Sequence, residues 1–430
     1  MKDVKDITAC VIDHGLFLPL ALKLGQTYKR VLYWTPADRD FPILNEHVIG
    51  DGYEHVERCR DFWEHKKEID LFIFPDVQHS GLQLELESQG FLVWGSRTGD
   101  ELELNREFFH RQLGDYGLEV PKYVVVVGLT ELRQHLREVE DKYLKVSRYR
   151  GSFETVHWRN WREDEGMLDV WAVHFGPIKE LVRFLVFDAI ETDLEIGGDT
   201  YSIDGKFPKK LLHGLELKDK GYLAAVTDHA DMPEQVRAVN EAFAPFLAEH
   251  RYRNLWSVEV RVKGDHSYFI DPCCRFPCPA NGSQLALWKN LPEIIAAGSA
   301  GELVEPDPAA KFAAECVLTV KGEKDAWRIV DVPAALKGKI NFRGSCELDG
   351  RICLPPHEAH GDEVGWLVAT GDTLEDLVAT MKEQMVQLPD GVSANAQSLF
   401  DLLKEVQTAE KEGIEFTDQK VPKPEMALKD

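Results

Sequence analysis

Short apolar runs alternate with helix-like stretches over the first hundred residues, and this alternation limits the fold more than any other feature of the chain. A strand in a parallel sheet is covered by helices on both faces, so it reads as a continuous apolar run. The pattern therefore predicts an N-terminal parallel α/β sheet. The apolar runs lie at 7–13, 30–34, 70–75 and 91–94, and the helix-like stretches between them lie at 16–24 and 53–65. No Gly-x-Gly-x-x-Gly follows the first run, so nothing there predicts dinucleotide binding.

The rest of the chain also mixes strand and helix patterns. An amphipathic helix at 100–116 is followed by Gly117-Leu-Glu-Val-Pro121, and a Pro- and Ala-rich stretch at 305–309 predicts a boundary. The polar tail 413–430 is expected to be loosely held. Further strands are predicted at 123–127, 143–146, 185–187, 194–202, 312–318 and 365–369, and further helices at 129–139, 233–250, 373–387 and 394–411.

Two segments that read as a hairpin, 256–262 and 267–271, carry two carboxylates. If the loop consists of the three residues 264–266, Glu259 lies directly opposite Asp271, with Cβ atoms about 5 Å apart. Carboxylates that close repel each other unless a cation lies between them or one is protonated. Mg²⁺ prefers one or two carboxylates, with phosphate and water oxygens completing its octahedron. The hairpin is therefore either a magnesium site or a surface hairpin with scattered charge.

Size and charge exclude several classes of protein. A chain of 430 residues is long for one core, so about two to four packed units are expected. The formal net charge of -24 argues against nucleic-acid binding, because the phosphate backbone requires a basic surface. No apolar run reaches the length of a membrane span and no signal-peptide pattern opens the chain, so we expect no membrane partner and a cytoplasmic protein.

The cysteine content predicts reduced thiols. Eight cysteines in a chain of this length do not suggest a disulfide framework. Cys273, Cys274 and Cys278 are close together in the sequence. A zinc site there would require a fourth ligand and a regular pair spacing, which the sequence does not supply.

Taken in order, these parts resemble the ATP-grasp superfamily, and within it the phosphoribosylamine–glycine ligase and biotin carboxylase branch. The resemblance covers residues 5–390 and includes the α/β domain, the helix ending in Gly-x-x-Val-Pro, a strand lysine and the acidic hairpin. The segment Gly365–Leu377 is similar to the C-terminal domain of the glycine ligase. The resemblance implies an ATP-grasp fold of the α/β class with α+β lobes. It divides the chain into a preliminary α/β domain (1–120), a small lobe (121–190), a large lobe with the hairpin (191–308), a glycine-ligase-like domain (309–390), and a helix with a loose tail (391–430).

The resemblance assigns roles to the hairpin. Glu259 and Asp271 stand where the family places its two magnesium carboxylates, twelve residues apart, and Arg275 stands four residues later, where the family has an arginine that contacts phosphate or the acyl phosphate. Cys273 occupies a position where the family usually has a metal-binding asparagine. A thiol is a soft ligand that suits Mg²⁺ poorly, so the number of metal ions is left open.

Upstream residues match the family's nucleotide-binding positions. Lys145 matches the strand lysine that contacts the α- and β-phosphates, with an edge-strand lysine reaching water as the alternative. Arg106 takes the place of a second phosphate-binding lysine, with a solvated helix residue as the alternative. Asp188 lies at the predicted adenine hinge, and Glu195 matches the ribose-binding acid.

The loop after Lys145 departs most from the family. The family has a glycine-rich flap there, whose backbone N–H groups cover the phosphates. Residues 147–155 contain a single glycine, and Arg148 or Arg150 would supply charge in place of backbone amides. The flap is therefore either reshaped, adapted to another substrate, or no longer catalytic.

The resemblance implies an ATP- and Mg²⁺-dependent carboxylate–amine ligase that forms ADP through an acyl phosphate, with Mn²⁺ as an alternative metal. The partners would be ATP, a small carboxylic acid and an amine, and the assembly a monomer or a homodimer. Two alternatives stay open. One is a non-catalytic ATP-grasp-like protein that binds a nucleotide or a partner, and the other is carboxylation or phosphoryl transfer on the same scaffold.

Overall fold

A computed structural model describes residues 2–35, 48–148, 155–190, 192, 194–218, 220–321, 326–355, 363–419 and 421–422. The chain forms two compact units, each built from segments that are distant in sequence. The larger unit comprises Met1–Gly99, Ile196–Val258 and Cys273–Asp430, and the smaller unit comprises Asp100–Glu195 and Glu259–Pro272. The finer, five-part division expected from the sequence stays a prediction.

Strands and helices alternate through the N-terminal hundred residues, and antiparallel strands dominate the remainder. The strands are β1 (Thr8–Ile12), β2 (Arg30–Trp34), β3 (Glu57–Arg58), β4 (Leu71–Ile73), β5 (Leu92–Trp94), β6 (Tyr123–Val127), β7 (Lys142–Val146), β8 (Thr155–Trp158), β9 (Arg183–Asp188), β10 (Glu195–Ile203), β11 (Lys210–Leu217), β12 (Gly221–Asp228), β13 (Arg253–Lys263), β14 (His266–Cys273), β15 (Phe312–Val320), β16 (Arg328–Val330), β17 (Ile340–Phe342), β18 (Cys346–Leu348), β19 (Arg351–Leu354), β20 (Glu363–Gly371) and β21 (Val392–Ala394).

None of the helices among the described residues is long and apolar enough to cross a membrane. The helices are α1 (Leu18–Gly25), α2 (Ser80–Ser88), α3 (Glu101–Leu104), α4 (Arg106–Asp115), α5 (Leu129–Leu136), α6 (Trp161–Phe175), α7 (Glu234–Glu249), α8 (Asn281–Leu287), α9 (Leu291–Ser299), α10 (Leu374–Val386) and α11 (Ala396–Lys411).

The predicted N-terminal parallel sheet is confirmed. It has the order β3-β2-β1-β4-β5, and every pair in it is parallel. All five residues of β1 are buried: Ala9 and Val11 belong to one apolar cluster, and Cys10 and Ile12 belong to another. Alternate side chains of a strand point to opposite faces, so both faces of this sheet are covered, as the continuous apolar runs predict.

A second sheet has the order β14-β13-β10-β11-β12-β15-β20-β17, with β21 paired to β15. In the larger unit, β15 pairs with β12 on one side and with β20 on the other. The chain beyond 305–309 therefore continues the same sheet, and the residues on both sides of that Pro- and Ala-rich stretch belong to the larger unit. The smaller unit contains the sheet β6-β9-β7-β8, packed against α5 and α6 around Leu132, Trp158 and Trp171.

Three expectations from the sequence are wrong. Residues 53–65 do not form a helix, but contain β3 and a 3₁₀ turn at Phe62–His65. The predicted helix at 100–116 is two helices, because the backbone of Asn105 turns to φ -111° and ψ 84° between α3 and α4. The described part of the tail is not loose, since Ile414 and Phe416 are buried and Phe416 packs on the ring of His213.

Candidate active site

Lys145 and Asp271 form an ion pair in the smaller unit. The Lys145 amine donates to Oδ2 of Asp271 at 2.6 Å and to the carbonyl of Ile270 at 3.0 Å. Lys145 lies in β7 between two other strands, where only 8% of the residue is exposed. A lysine that buried requires an acceptor, so the alternative of an edge-strand lysine reaching water is wrong.

Arg106 joins this pair from the first position of α4. Its guanidinium donates to the carbonyl of Val146 at 3.0 Å, and its Nε lies 4.0 Å from Oδ1 of Asp271. The arginine is 3% exposed, so the alternative of a solvated helix residue is also wrong. The structure therefore brings together three predicted site residues, and we call Arg106, Lys145 and Asp271 the cation–carboxylate cluster.

The electrostatics of the cluster favour an ionised carboxylate. Burial by itself raises the pKa of Asp271, but the nearby charges of Lys145 and Arg106 outweigh it and hold that pKa below its usual value. Two cations facing one carboxylate leave the cluster with one net positive charge. Such a cluster can accept a further anion, and phosphate is an anion that both lysine and arginine bind.

His110 is a cluster neighbour that the sequence analysis missed. It lies one turn after Arg106 on α4 and is 2% exposed, and neither ring nitrogen has a hydrogen-bond partner among the described residues. Burial, reinforced by the charge of Lys145, lowers the pKa of His110 to about 3, so the ring is neutral at physiological pH. The available signal was the spacing of four from Arg106, which places both residues on one helix face.

The hairpin is present, but its loop is one residue shorter than the loop expected from the sequence. His266 already belongs to β14, so the loop consists of Gly264 and Asp265. Gly264 has φ +56°, which glycine adopts readily at the first position of a two-residue hairpin turn. Glu259 lies in β13 and is partly buried. With the two-residue loop, the condition for placing Glu259 directly opposite Asp271 is not met. Its role as a metal ligand stays a prediction.

The two proposed nucleoside-binding acids lie at separate places in the smaller unit. Asp188 ends β9 and forms ion pairs with Lys142 at 2.8 Å and Lys122 at 3.3 Å. The hydrogen bond from Lys142 is the main reason that the pKa of Asp188 is lowered. Glu195 begins β10 and accepts from Nε of Arg261 at 3.0 Å. Arg261 is a second residue that the sequence analysis did not assign to the site.

Arg275 belongs to the larger unit and is described there by itself. Its Nε lies 3.7 Å from Oδ1 of Asp76, which follows β4, and its Nη1 donates to the carbonyl of Phe276. Cys273 is buried, with its thiol 3.7 Å from the carbonyl of Arg275. Burial raises the pKa of the neighbouring Cys278 thiol to about 12, so that sulfur is a protonated thiol and a poor metal ligand.

The loop that replaces the family's flap is described only in part. Arg148 has φ +61° and forms an ion pair with Glu101 of α3. Arg150 and the single glycine of the loop lie outside the described residues.

Two carboxylates of the hairpin, Glu259 and Asp271, are the predicted metal ligands. Among the described residues, no group of three or more His, Cys, Asp or Glu side chains is placed to hold a metal ion. The ionised carboxylate of Asp271 is a hard oxygen donor of the type that Mg²⁺ prefers, and Glu259 offers a second. This donor set fits an ion that takes its remaining ligands from phosphate and water.

Comparisons with solved structures confirm the ATP-grasp fold. The phosphoribosylamine–glycine ligase of Thermotoga maritima matches with a TM-score of 0.65 and 16% identity, over 91% of this chain and 100% of that one. The biotin carboxylase domain of the Hydrogenobacter thermophilus 2-oxoglutarate carboxylase, a dimer in complex with MgADP, ADP and bicarbonate, matches with a TM-score of 0.65 and 13% identity, over 97% of both chains. An L-amino acid ligase from Bacillus licheniformis matches with a TM-score of 0.58 and 15% identity, over 91% of this chain and 98% of that one. No family model and no curated protein matches the sequence.

Proposed function

From an ATP-grasp fold that holds two buried cations against one carboxylate, we propose that this chain is an ATP- and Mg²⁺-dependent, ADP-forming carboxylate–amine ligase. The cation–carboxylate cluster is the observation that carries the proposal. Lys145 and Arg106 are too deeply buried to be solvated surface charges, and together they exceed the charge of Asp271 by one. We assign that surplus to the phosphates of ATP.

The chemistry asks little covalent work of the protein. A carboxylate oxygen of the acid attacks the γ-phosphorus of ATP, the bond to the β–γ bridging oxygen breaks, and ADP leaves. The amine then attacks the acyl carbon, phosphate leaves with the acyl oxygen, and the nitrogen loses a proton. Catalysis consists of positioning the reactants and neutralising phosphate charge. Two N–H groups of Lys145 are bound to Asp271 and Ile270, which leaves the third for a phosphate oxygen.

The remaining predicted residues divide the other tasks. Glu259 and Asp271 would hold Mg²⁺, or Mn²⁺ in its place, and the metal when bound would neutralise phosphate charge. Backbone groups beside Asp188 would bind the adenine edge, and Glu195 would bind ribose hydroxyls. Arg275 would contact the acyl phosphate in the role that the resemblance gives it.

The substrates are proposed to be a small carboxylic acid and a small amine. The three ligases and carboxylases compared above act on small molecules according to their names, and one of them was solved as a dimer. A cytoplasmic protein acting as a monomer or a homodimer is the corresponding proposal for this chain.

The deciding experiment is a double substitution at the metal carboxylates. Glu259→Gln with Asp271→Asn keeps size and hydrogen bonding but removes two negative charges. We expect at least a hundredfold loss of ADP release across a panel of acids and amines, with the far-UV circular dichroism spectrum unchanged. The matched control is Glu138→Gln with Asp265→Asn, which removes two exposed carboxylates of the same unit. Equal ADP release by the double variant and the wild-type protein would refute the assignment.

A non-catalytic nucleotide-binding protein is the second candidate, and Cys273 favours it. The buried thiol of this residue faces a backbone carbonyl and stands where the family's asparagine would bind metal. That candidate predicts thermal stabilisation by ATP and Mg²⁺ with no ADP release for any acid and amine pair. Bicarbonate-dependent ADP release would instead identify carboxylation, and the same assay detects it.

A further inference from the structure

The larger unit contains a cavity of about 590 Å³ that includes none of the predicted site residues. The cavity is lined by residues of α1, by the segment 337–342 that contains β17, and by residues 53–55. A volume of this size is typical of pockets that bind a small organic molecule. No residue of the cation–carboxylate cluster reaches it.

Lys23 of α1 is the most informative residue in this cavity. It is partly buried, and no described residue forms a hydrogen bond or an ion pair with its amine. Burial lowers the pKa of Lys23, and the charge of Glu293 only partly offsets that effect. A desolvated ammonium group without an acceptor is unfavourable, and an anionic ligand would remove that penalty.

Two more cations and an apolar surface indicate the chemical class of the ligand. Lys337 and Lys339 also line the cavity and are exposed. Three lysines around one cavity contrast with the net charge of -24 for the whole chain. Leu22, Leu285 and Phe342 contribute apolar surface to the same cavity. Cations at one place and apolar side chains beside them match a molecule with an anionic head group and an apolar body.

The cavity also contains two carboxylates, which restrict the ligand further. Glu54 and Glu347 belong to the lining, as do the polar side chains of Asn341 and Thr370. These groups accept hydrogen bonds, so the apolar body can carry a hydroxyl or amino group. A second anionic group on the ligand would be repelled by the two glutamates.

We propose that this cavity binds a small organic molecule with one anionic head group, either a carboxylate or a phosphate monoester, on an apolar body, with Lys23 as its principal contact. The proposal is independent of the ligase assignment, because it uses no residue of the nucleotide or metal site. A carboxylate and a phosphate both pair with lysine through their negative charge. The choice of probe distinguishes between these two head groups.

Calorimetric titration of the full chain with phenyl phosphate, benzoate and benzyl alcohol tests the proposal. We expect at least one of the two anions to bind with a stoichiometry of about one, and benzyl alcohol to bind at least tenfold more weakly. The stronger of the two anions identifies the head group. Absence of measurable binding by either anion, or equal binding of benzyl alcohol, would overturn the proposal.

Substitutions locate the binding. Lys23→Met keeps the apolar stem but removes the charge, and we expect it to weaken anion binding at least tenfold. Lys339→Glu, at an exposed position where folding is not at risk, should weaken binding by a similar factor. Lys29→Met, an exposed lysine shortly after α1, should have no effect, and Lys145→Met should leave the titration unchanged. Wild-type affinity in both Lys23→Met and Lys339→Glu, or loss of binding in Lys145→Met, would place the anion elsewhere.

Discussion

Lys145 and Asp271 form an ion pair whose loss should affect stability and, under the proposed function, ATP binding. Removing one member of a buried pair leaves an unmatched charge, which costs more than the pair itself contributes. We predict that Lys145→Met lowers the free energy of unfolding by about 1–3 kcal/mol, since Asp271 is partly exposed and water offsets part of the cost. The same change should abolish thermal stabilisation by ATP, because the proposed contact of Lys145 with phosphate would be lost. Urea unfolding and melting curves with and without ATP measure the two effects.

The double variant Lys145→Met with Asp271→Asn separates these effects. It removes both charges, so much of the lost stability should return, while ATP binding stays absent. If the double variant were as unstable as Lys145→Met alone, packing of the lysine stem rather than the ion pair would explain the loss.

His213 makes the stability of the larger unit sensitive to acid. It is fully buried in β11, neither ring nitrogen has a hydrogen-bond partner among the described residues, and burial lowers its pKa to about 4. In the unfolded chain a histidine titrates near pH 6.5. Between pH 4 and 6.5 the unfolded state therefore binds a proton that the native state does not, so stability falls as the pH is lowered through that range.

We predict that His213→Leu removes this acid sensitivity. The free energy of unfolding of the variant, relative to the wild-type protein, should increase by about 2 kcal/mol between pH 8 and pH 5. Urea unfolding at both pH values measures the difference, and the comparison at pH 8, where both residues are uncharged, isolates the packing change. A pH-independent difference would mean that the pKa of His213 is the same in the native and unfolded states.

The role of a residue could be predicted from the sequence when its side chain would be unfavourable in the predicted element without a partner. It could not be predicted when distant residues determine its surroundings. A lysine in the apolar strand Tyr143-Leu-Lys-Val146 demanded a partner, and the structure supplies Asp271. The residue type of His110 did not by itself demand a partner, because a histidine on an amphipathic helix is common both in the core and at the surface. Its isolation from hydrogen-bond partners comes from Tyr123 and Phe187, which pack on its ring from distant strands.

At the level of elements, periodicity identified the long buried runs but was misleading in short segments. Val56, Cys59 and Phe62 are all buried and lie three residues apart, which resembles one face of a helix. In the fold, the pairing of β3 with β2 and a 3₁₀ turn bury the same three residues. Sequence spacing does not distinguish these arrangements, because the parallel pairing that decides between them involves residues 25 positions away.

Helix α6 was missed although its start is marked locally. The side chain of Asn160 accepts from the backbone N–H of Glu163, and the Glu163 carboxylate in turn accepts from the side-chain amide of Asn160. This reciprocal arrangement resembles a capping box, and Leu168, Trp171 and Phe175 follow at helical spacing on the buried side. The capping box usually begins with serine or threonine, so a motif that begins with asparagine does not match it in the sequence.

The break between α3 and α4 positions Arg106 at the start of α4, and this leads to a second prediction at the level of elements. Asn105 caps α4 by accepting from the N–H of Phe108, and Arg106 is the first helical residue after it. Asn105→Ala should cost about 1 kcal/mol of stability and weaken ATP binding severalfold, since the cap fixes where Arg106 begins. Asn105→Ser, which can cap, should retain most of both. Urea unfolding and ATP titration measure these outcomes, and unchanged ATP affinity in Asn105→Ala would show that the cap does not position Arg106.

At the scale of the whole molecule, the chain is less divisible than its sequence suggests. The Pro- and Ala-rich stretch near residue 307 is typical of a linker, yet β15 begins directly after it and pairs with β12, and β20 extends the sheet beyond β15. The composition of a segment indicates only its local flexibility. The unit to which the segment belongs depends on the strands with which it pairs. The described residues of the last hundred positions therefore belong to the larger unit, and the separate glycine-ligase-like domain at 309–390 stays a prediction.

This organisation predicts how the chain responds to truncation. A protein ending at residue 308 would leave β12 as an open edge and would expose Leu223 and Ala224, whose partners on β15 are removed. Exposed apolar sheet edges associate with one another, so we expect the shortened protein to be insoluble or to melt without a cooperative transition. A protein ending at residue 422 keeps β15, β20 and α11 and should melt within about 2 °C of the full chain. Circular dichroism melting of both proteins is the measurement, and a soluble, cooperatively folded product ending at 308 would show that the segment after 308 is an independent domain after all.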